Sequence, residues 1–326
     1  MKTKIFILAS ALVAMALASC DTDVKRLEVQ KLKTYDEQYY KNLRDFHKSD
    51  HEVSFAYYEG WSPVEGVEGY KDPASWGERM IGLPDSIDIV NLWMGVPSND
   101  PEDGSNGYNG CTYAPIAYAD MKECQTKKGI RFIMHADASN YNHKFTVDGV
   151  DYDMSAEGSN VSDETMAAYA KWIVNTVDKP GLDGVDIDYE GWSANNLVRL
   201  VKELSNYMGP KSQHPEKLLI VDYFGSVPPS ELSDYCDYFV QQAYSNQTSA
   251  RFPGSLPNEK MIFCETFGVF YADGGKLLDY ARMEPSTGRK GGCGVFYLGR
   301  NYYSSSGIPY NEFRQAIQIM NPALNY

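Results

Sequence analysis

The sequence predicts an α/β fold closed into a (β/α)8 barrel, and three observations predict it. Eight short apolar runs recur along the chain, each suited to a parallel strand buried on both faces. The stretches between them are long enough for crossover helices, and several carry apolar residues at three-and-four spacing. The chain has 326 residues, and after its N-terminal segments are set aside the remaining roughly 280 residues suit one barrel better than two domains. An open, doubly wound sheet is the competing arrangement, but no GxGxxG phosphate loop accompanies these strands.

Composition narrows the function classes. With 43% hydrophobic and 13% aromatic residues the chain can bury a large core, which disfavours wholesale disorder. Lys and Arg number 30 against 44 Asp and Glu, a net charge of -14. The basic residues are scattered rather than gathered in a run, so a nucleic-acid partner is not expected.

At the N-terminus, Lys2 and Lys4 precede an apolar stretch from Ile5 to Ser19, shorter than the roughly 20 residues of a spanning helix. Residues 1–19 therefore read as an export signal. The run Leu17-Ala18-Ser19-Cys20 resembles a bacterial lipoprotein signal, in which the cysteine becomes the acylated new N-terminus; an ordinary secretory signal is the alternative. The resemblance implies a lipid anchor at Cys20 and a place on the outer membrane, at the cell surface. Residues 20–49 read as a polar tether running into a helix that carries Tyr35, Tyr39, Tyr40, Leu43 and Phe46, and residues 50–326 as the barrel domain.

Besides Cys20 there are five cysteines, so they cannot all pair internally. Cys236, Cys264 and Cys293 lie in apolar surroundings and read as core. A Cys111 to Cys124 bridge would suit an exported protein but is not established by spacing. The histidines, His47, His51, His135, His143 and His214, form no HExxH or other compact ligand set, so a metal site is not expected.

The candidate strands, in order, are His51 to Tyr58, Ile87 to Gly95, Gly129 to His135, Gly181 to Glu190, Leu218 to Phe224, Tyr238 to Tyr244, Met261 to Phe267 and Gly294 to Leu298. Helices are expected over Thr165 to Val177 and Asn195 to Tyr207, whose apolar faces can cover strands, and over about Glu312 to Met320. Trp61 to Trp76, Gly95 to Tyr113 and Ala136 to Met154 read as loops rich in Gly, Tyr, Asn and Asp, suited to the walls of a pocket and equally to ordinary surface.

The chemistry lies on the fourth run, Asp183-Gly184-Val185-Asp186-Ile187-Asp188-Tyr189-Glu190. A period of two puts Asp186, Asp188 and Glu190 on one face and Val185, Ile187 and Tyr189 on the other. In a barrel the apolar face meets the helices, while the acids form a ladder rising inside to Glu190 at the C-terminal mouth. Neighbouring acids raise one another's proton affinity, which suits acid chemistry near neutral pH. A solvated edge strand or a divalent-cation site are the competing readings of the same acids.

This segment resembles the complete DGxDxDxE signature of family 18 glycoside hydrolases, and the strand series from about His51 to Leu298 fits that family's barrel. The resemblance implies retaining hydrolysis assisted by the substrate's own 2-acetamido group, a mechanism that requires no cofactor. Glu190 would be the acid and base, Asp188 would orient and stabilise the acetamido group, and Asp186 would support Asp188 from behind. Tyr244, at the end of the sixth run, resembles the tyrosine that contacts the acetamido carbonyl, although a tyrosine there taken alone also suits packing.

Two departures point to one branch. Gln242-Ala243-Tyr244-Ser245 stands where chitinases carry Met-x-Tyr-Asp, which looks like the endo-β-N-acetylglucosaminidase branch. The last run lacks the tryptophan that chitinases place beneath the sugar, and Tyr297 there either stacks on substrate or packs in the core. Gln242, Tyr297, Tyr223, Asn91, His135 and Glu265, with Asp222, lie at or near strand ends as candidate substrate contacts. The expected activity is cleavage between the two core N-acetylglucosamines of N-glycans, with an N-glycan or N-glycoprotein as substrate and glycan-uptake proteins as possible partners. A chitinase of the same family and an inactive glycan-binding barrel are the alternatives.

Overall fold

The computed structural model describes residues 34–59, 79–103, 110–139 and 143–323. The export segment, Cys20 and the stretch from Trp61 to Trp76 lie outside them. All eight apolar runs are strands: β1 (Val53–Tyr57), β2 (Ile89–Leu92), β3 (Arg131–Ser139), β4 (Gly184–Glu190), β5 (Leu218–Tyr223), β6 (Tyr238–Gln242), β7 (Met261–Thr266) and β8 (Gly292–Phe296). Each pairs in parallel with its neighbours in sequence, and β8 returns to β1 with Val53 opposite Gly292, so the sheet closes into a barrel. Two glycines make close strand approaches possible. A Cβ on Gly184, whose φ is +145°, would lie 2.1 Å from the Leu218 carbonyl oxygen, and one on Gly292 would lie 1.9 Å from that of Val53.

The alternation of strand residues divides the core. Val53, Phe55, Ile89, Ile133, Leu218, Ile220, Val240, Ile262 and Cys264 fill the lower barrel interior, whereas Val185, Ile187, Leu219, Val221, Phe239 and Phe263 meet the surrounding helices. Among the described residues, the α-helices of six residues or more are α1 (Glu37–Lys48), α2 (Pro115–Glu123), α3 (Asp163–Asp178), α4 (Ala194–Leu204), α5 (Leu277–Arg282) and α6 (Asn311–Met320). Side chains cap the starts of three of them: Asp36 accepts from the Tyr39 amide, Ser162 from Thr165 and Ser193 from Asn196. Each such cap contributes about 1 kcal/mol.

α1 closes the N-terminal end of the barrel. Its His47 hydrogen-bonds the Asp88 Oδ1 at 2.8 Å, an oxygen shared with His51 at 2.8 Å, while Asp88 Oδ2 accepts from the Ser54 amide and hydroxyl. Arg44 donates to the Lys127 carbonyl just ahead of β3. Asn321, after α6, donates to the Glu52 carbonyl just ahead of β1.

Two loop expectations are corrected. Between Ala136 and Met154 the chain extends β3 to Ser139 and then forms an antiparallel hairpin, Lys144–Val147 with Val150–Asp153, turning at Asp148 and Gly149, both at positive φ. Within Gly95 to Tyr113, Val96–Ser98 and Cys111–Tyr113 pair in parallel. The Cys111 to Cys124 bridge is also absent. Both thiols are free, and that of Cys124 is buried against the Met80 carbonyl oxygen.

Candidate active site

The C-terminal end of the barrel holds a cavity of about 690 Å³. Strand parity on β4 delivers the acids to it in sequence of depth. Asp186 is wholly buried beneath the cavity, whereas Asp188 and Glu190, further along the strand, line it and retain some exposure. Parity on the neighbouring strands brings His135 and Asp137 from β3, Asp222 from β5 and Gln242 from β6 to the same walls.

These groups form one network of hydrogen bonds and ion pairs. Asn91 on β2 donates its Nδ2 to Asp186 Oδ2 at 2.8 Å, holding the deepest acid from behind. His135 Nε2 lies 3.6 Å from Asp188 Oδ2 and 3.9 Å from Asp137 Oδ1. On the other side of Asp188, Gln242 Nε2 lies 3.2 Å from Oδ1 and 2.8 Å from Asp222 Oδ2, which also accepts from the Tyr57 hydroxyl at 2.7 Å. Asp188 is thus gripped on both oxygens, which fixes the direction of its carboxylate.

The electrostatics follow from burial and crowding. Burial raises the proton affinity of Asp186, partly offset by His135 and reinforced by Asp188. Glu190, half-buried at the mouth, is raised above the ordinary 4.5 by burial and then by Asp188, so it keeps a proton to higher pH than a free glutamate. Burial alone would make His135 less basic, but Asp188 first, then Asp137 and Asp186, more than offset it and raise its pKa to about 8. The imidazolium is therefore the cation within this ring of acids at neutral pH. Burial pushes the Tyr244 phenol well above 10, so it remains a hydroxyl donor.

The opposite walls are aromatic. Phe296 forms a floor, stacked on Tyr244 at 5.7 Å and meeting Trp93 edge-on at 4.9 Å. The hairpin after β3 and helix α3 supply a second bank, where Tyr169 stacks on Trp172 at 5.7 Å and Phe145 lies 5.2 Å from Tyr169. Aromatic faces beside a cluster of polar groups are suited to sugar rings, whose C–H faces pack on the rings while their hydroxyls reach the polar groups.

The structure brings Glu190, Asp188, Tyr244, Gln242 and His135 to the cavity, with Asp186 and Asn91 directly below it. Three expected contacts do not belong there. Tyr223 has the opposite parity from Asp222 on β5 and packs outward in the core beneath the helices. The Glu265 carboxylate accepts the amides of Ser245, Thr266 and Lys276 at 3.0, 2.8 and 2.9 Å, so it fastens loops instead of facing substrate. Tyr297 follows the end of β8 with φ at +63°, and its ring lies under the Arg300 guanidinium at 4.2 Å; the neighbouring Phe296 takes the floor position. The sequence reading missed Tyr57, Trp93, Asp137, His143, Lys144, Phe145, Tyr169, Trp172 and Phe296. For Tyr57 and Asp137 a signal existed, since each shares inward parity with a residue two positions earlier. Among the described residues, His135, Asp137 and Asp188 also bring one potential metal-ligand atom each within 4.8 Å of one another, but two of these groups already hold each other in the constellation above.

Residues 21–252 match the family description "Glycoside hydrolase family 18, BT1044-like". The chain belongs to glycoside hydrolase family 18. This family 18 chain is 25% identical over 319 residues to endo-β-N-acetylglucosaminidase F2 of Elizabethkingia meningoseptica, covering 86% of this chain and 85% of that one. Its fold is shared with a selenomethionine variant of BT1044, at a TM-score of 0.65 and 22% identity over 88% of this chain and 93% of the other. An endo-β-N-acetylglucosaminidase from Cordyceps militaris has the same fold at a TM-score of 0.63 and 20% identity, covering 89% and 98% of the two chains. The family 18 chain is therefore a glycoside hydrolase, on the endo-β-N-acetylglucosaminidase branch.

Proposed function

We propose that this protein hydrolyses the β-1,4 bond between the two core N-acetylglucosamines of N-glycans, leaving one sugar on asparagine. The observation that carries the reading is Asp188 clamped between His135 and Gln242, with Glu190 on the same wall and Tyr244 on the cavity. Such a carboxylate is positioned to accept the N–H of a 2-acetamido group, while the Tyr244 hydroxyl donates to its carbonyl side. Held in that way, the acetamido oxygen attacks the anomeric carbon as the glycosidic bond breaks, and Glu190 gives its proton to the departing oxygen. The result is an oxazolinium ring and a free N-acetylglucosaminyl-asparagine end. Water then attacks the anomeric carbon from the vacated side, Glu190 takes its proton, and the acetamido group is released, so configuration is retained. Holding the nucleophile within the substrate removes the entropic search for a separate one.

The test incubates the protein, from Cys20 onward, with an N-glycoprotein and separately with chitin fragments, and reads products by mass. A released glycan bearing one reducing-end N-acetylglucosamine is expected; turnover of chitin fragments alone refutes the reading. Glu190→Gln should lower kcat by about 10²–10⁴-fold with the fold intact.

The proposal extends to location. Leu17-Ala18-Ser19-Cys20 supports acylation at Cys20 and a membrane-anchored enzyme acting on glycans outside the cell. Cys20→Ala should move the protein from the membrane fraction to the soluble one, and retention in membranes would refute the anchor.

A further inference from the structure

Asp222 has no role in the mechanism above, yet it sits at its centre. It is register partner to Asp188 across the β4–β5 pair and is 1% exposed. Its two oxygens differ. Oδ2 accepts from the Tyr57 hydroxyl at 2.7 Å and from Gln242 Nε2 at 2.8 Å, whereas Oδ1 is buried with no hydrogen-bond partner among the described residues.

The titratable groups around it are Tyr57 from β1, Asp186 and Asp188 from β4, Cys264 from β7 and Tyr244 after β6, with His135 from β3 beyond them against Asp188. Most are acids or neutral donors. The cation among them, His135, is spent on Asp188 Oδ2, the oxygen facing away from the Gln242 bridge. An ionised Asp222 would be a buried carboxylate beside two others with no cation of its own and one oxygen bare, an arrangement that burial penalises heavily. A neutral acid removes that penalty. Since Oδ2 already receives two hydrogen bonds, the proton belongs on Oδ1.

The consequence reaches Asp188 through Gln242. A side-chain amide has a donor end and an acceptor end, and Gln242 must present Nε2 to Asp188 for the clamp to hold. The Asp222 Oδ2, fixed by Tyr57, accepts the second Nε2 hydrogen and so holds the donor end in place. Reversal would set Oε1 against two acceptor oxygens.

We propose that Asp222 is a positioning residue, a neutral carboxylic acid protonated on Oδ1 whose Oδ2 locks the Gln242 amide with its donor toward Asp188. The role rests on the proposed acetamido-assisted reading only in what Asp188 then does; the proton and the amide orientation stand independently of the substrate.

Two measurements test it. Without substrate, the infrared difference spectrum of wild type minus Asp222→Asn near neutral pH should show the carbonyl stretch of a protonated carboxyl, and loss of a carboxylate band in its place overturns the proposal. With a substrate that the wild type turns over, Asp222→Leu, which removes the acceptor, should lower kcat by about 10–100-fold with KM changed by less than about 3-fold. Asp222→Asn, which reproduces the neutral acid's carbonyl and places N–H where Oδ1–H was, should restore most of that kcat with both limbs of the pH profile where the wild type has them. An Asp222→Asn enzyme as impaired as Asp222→Leu, or with displaced limbs, overturns the proposal, as does an Asp222→Leu enzyme with undiminished kcat. Should Asp222→Leu fail to fold, the infrared band and the Asp222→Asn profile still decide the matter. Failure of wild type to cleave N-glycans refutes the functional reading alone, since the infrared result does not depend on it.

Discussion

Taking the imidazolium out of the carboxyl ring tests how this site manages its protons. In His135→Gln the side chain stays polar and of similar reach, but the charge is gone. The structure sets the size of the effect. Burial opposes the charged ring, yet the pKa of His135 stands at about 8 against an ordinary 6.5, a difference worth about 2 kcal/mol. The attraction to the acids must exceed that net gain. Unit charges at the 3.6 Å separating His135 from Asp188 attract by roughly 4–5 kcal/mol at an effective dielectric of about 20, which leaves room for the desolvation cost. Linkage is reciprocal, so what the acids do for the imidazolium it does for their ionised forms, and His135 lowers the proton affinity of both Asp186 and Glu190. Its removal raises the proton affinity of each. On the proposed mechanism, the rising limb of kcat/KM against pH reports carboxyls that must ionise, and the falling limb reports the Glu190 proton that must be kept. Both should therefore move to higher pH in His135→Gln, by amounts summing to at least about 1.5 pH units across the coupled cluster. The assay is kcat/KM on a fluorescent glycopeptide from about pH 4 to about pH 9. Profiles that coincide, or that move to lower pH, refute the reasoning.

Other consequences are as direct. Gly184→Ala sets a Cβ 2.1 Å from the Leu218 carbonyl and strains a φ of +145°, so it should cost at least about 3 kcal/mol and lower Tm in a thermal melt. Phe296→Ala removes the aromatic floor beneath Tyr244 and should raise KM by about 3–10-fold in steady-state kinetics while Tm changes little. Below the barrel, burial disfavours His51 as a cation but Asp88 outweighs it, so its folded pKa is raised above 6.5. Its contribution is therefore complete below about pH 6.5 and lost as pH rises through the folded value. Urea unfolding should show this decline added to the one that His135 contributes, and His51→Gln should reduce it without removing the His135 part.

The fold was largely legible because a parallel barrel strand is buried on both sides and so stands out as a short apolar run. The acid ladder was legible for a related reason: alternation along β4 requires that Val185 and Ile187 face helices if Asp186 and Asp188 face inward. Parity also explains the failure at Tyr223, because nearness to a strand end does not specify which face a side chain takes. Glu265 could not be separated from a substrate contact by residue type, since a carboxylate accepts backbone amides as readily as sugar hydroxyls. Tyr297 was lost to a single backbone angle, a left-handed residue at the end of β8 that leaves Phe296 as the last side chain on the inner face. The aromatic bank of Phe145, Tyr169 and Trp172 depends on a hairpin and a helix meeting across distant parts of the chain. Helical spacing alone assigns Trp172 to the apolar face covering a strand.

The two ends of the described chain leave the barrel on the same side. α1 packs against residues just ahead of β2 and β3, and Asn321 is tied to the Glu52 carbonyl just ahead of β1, whereas the cavity opens at the opposite pole. The molecule therefore has a handle and a mouth that do not compete for space. A solid support coupled at either described end is attached at the pole away from the cavity mouth.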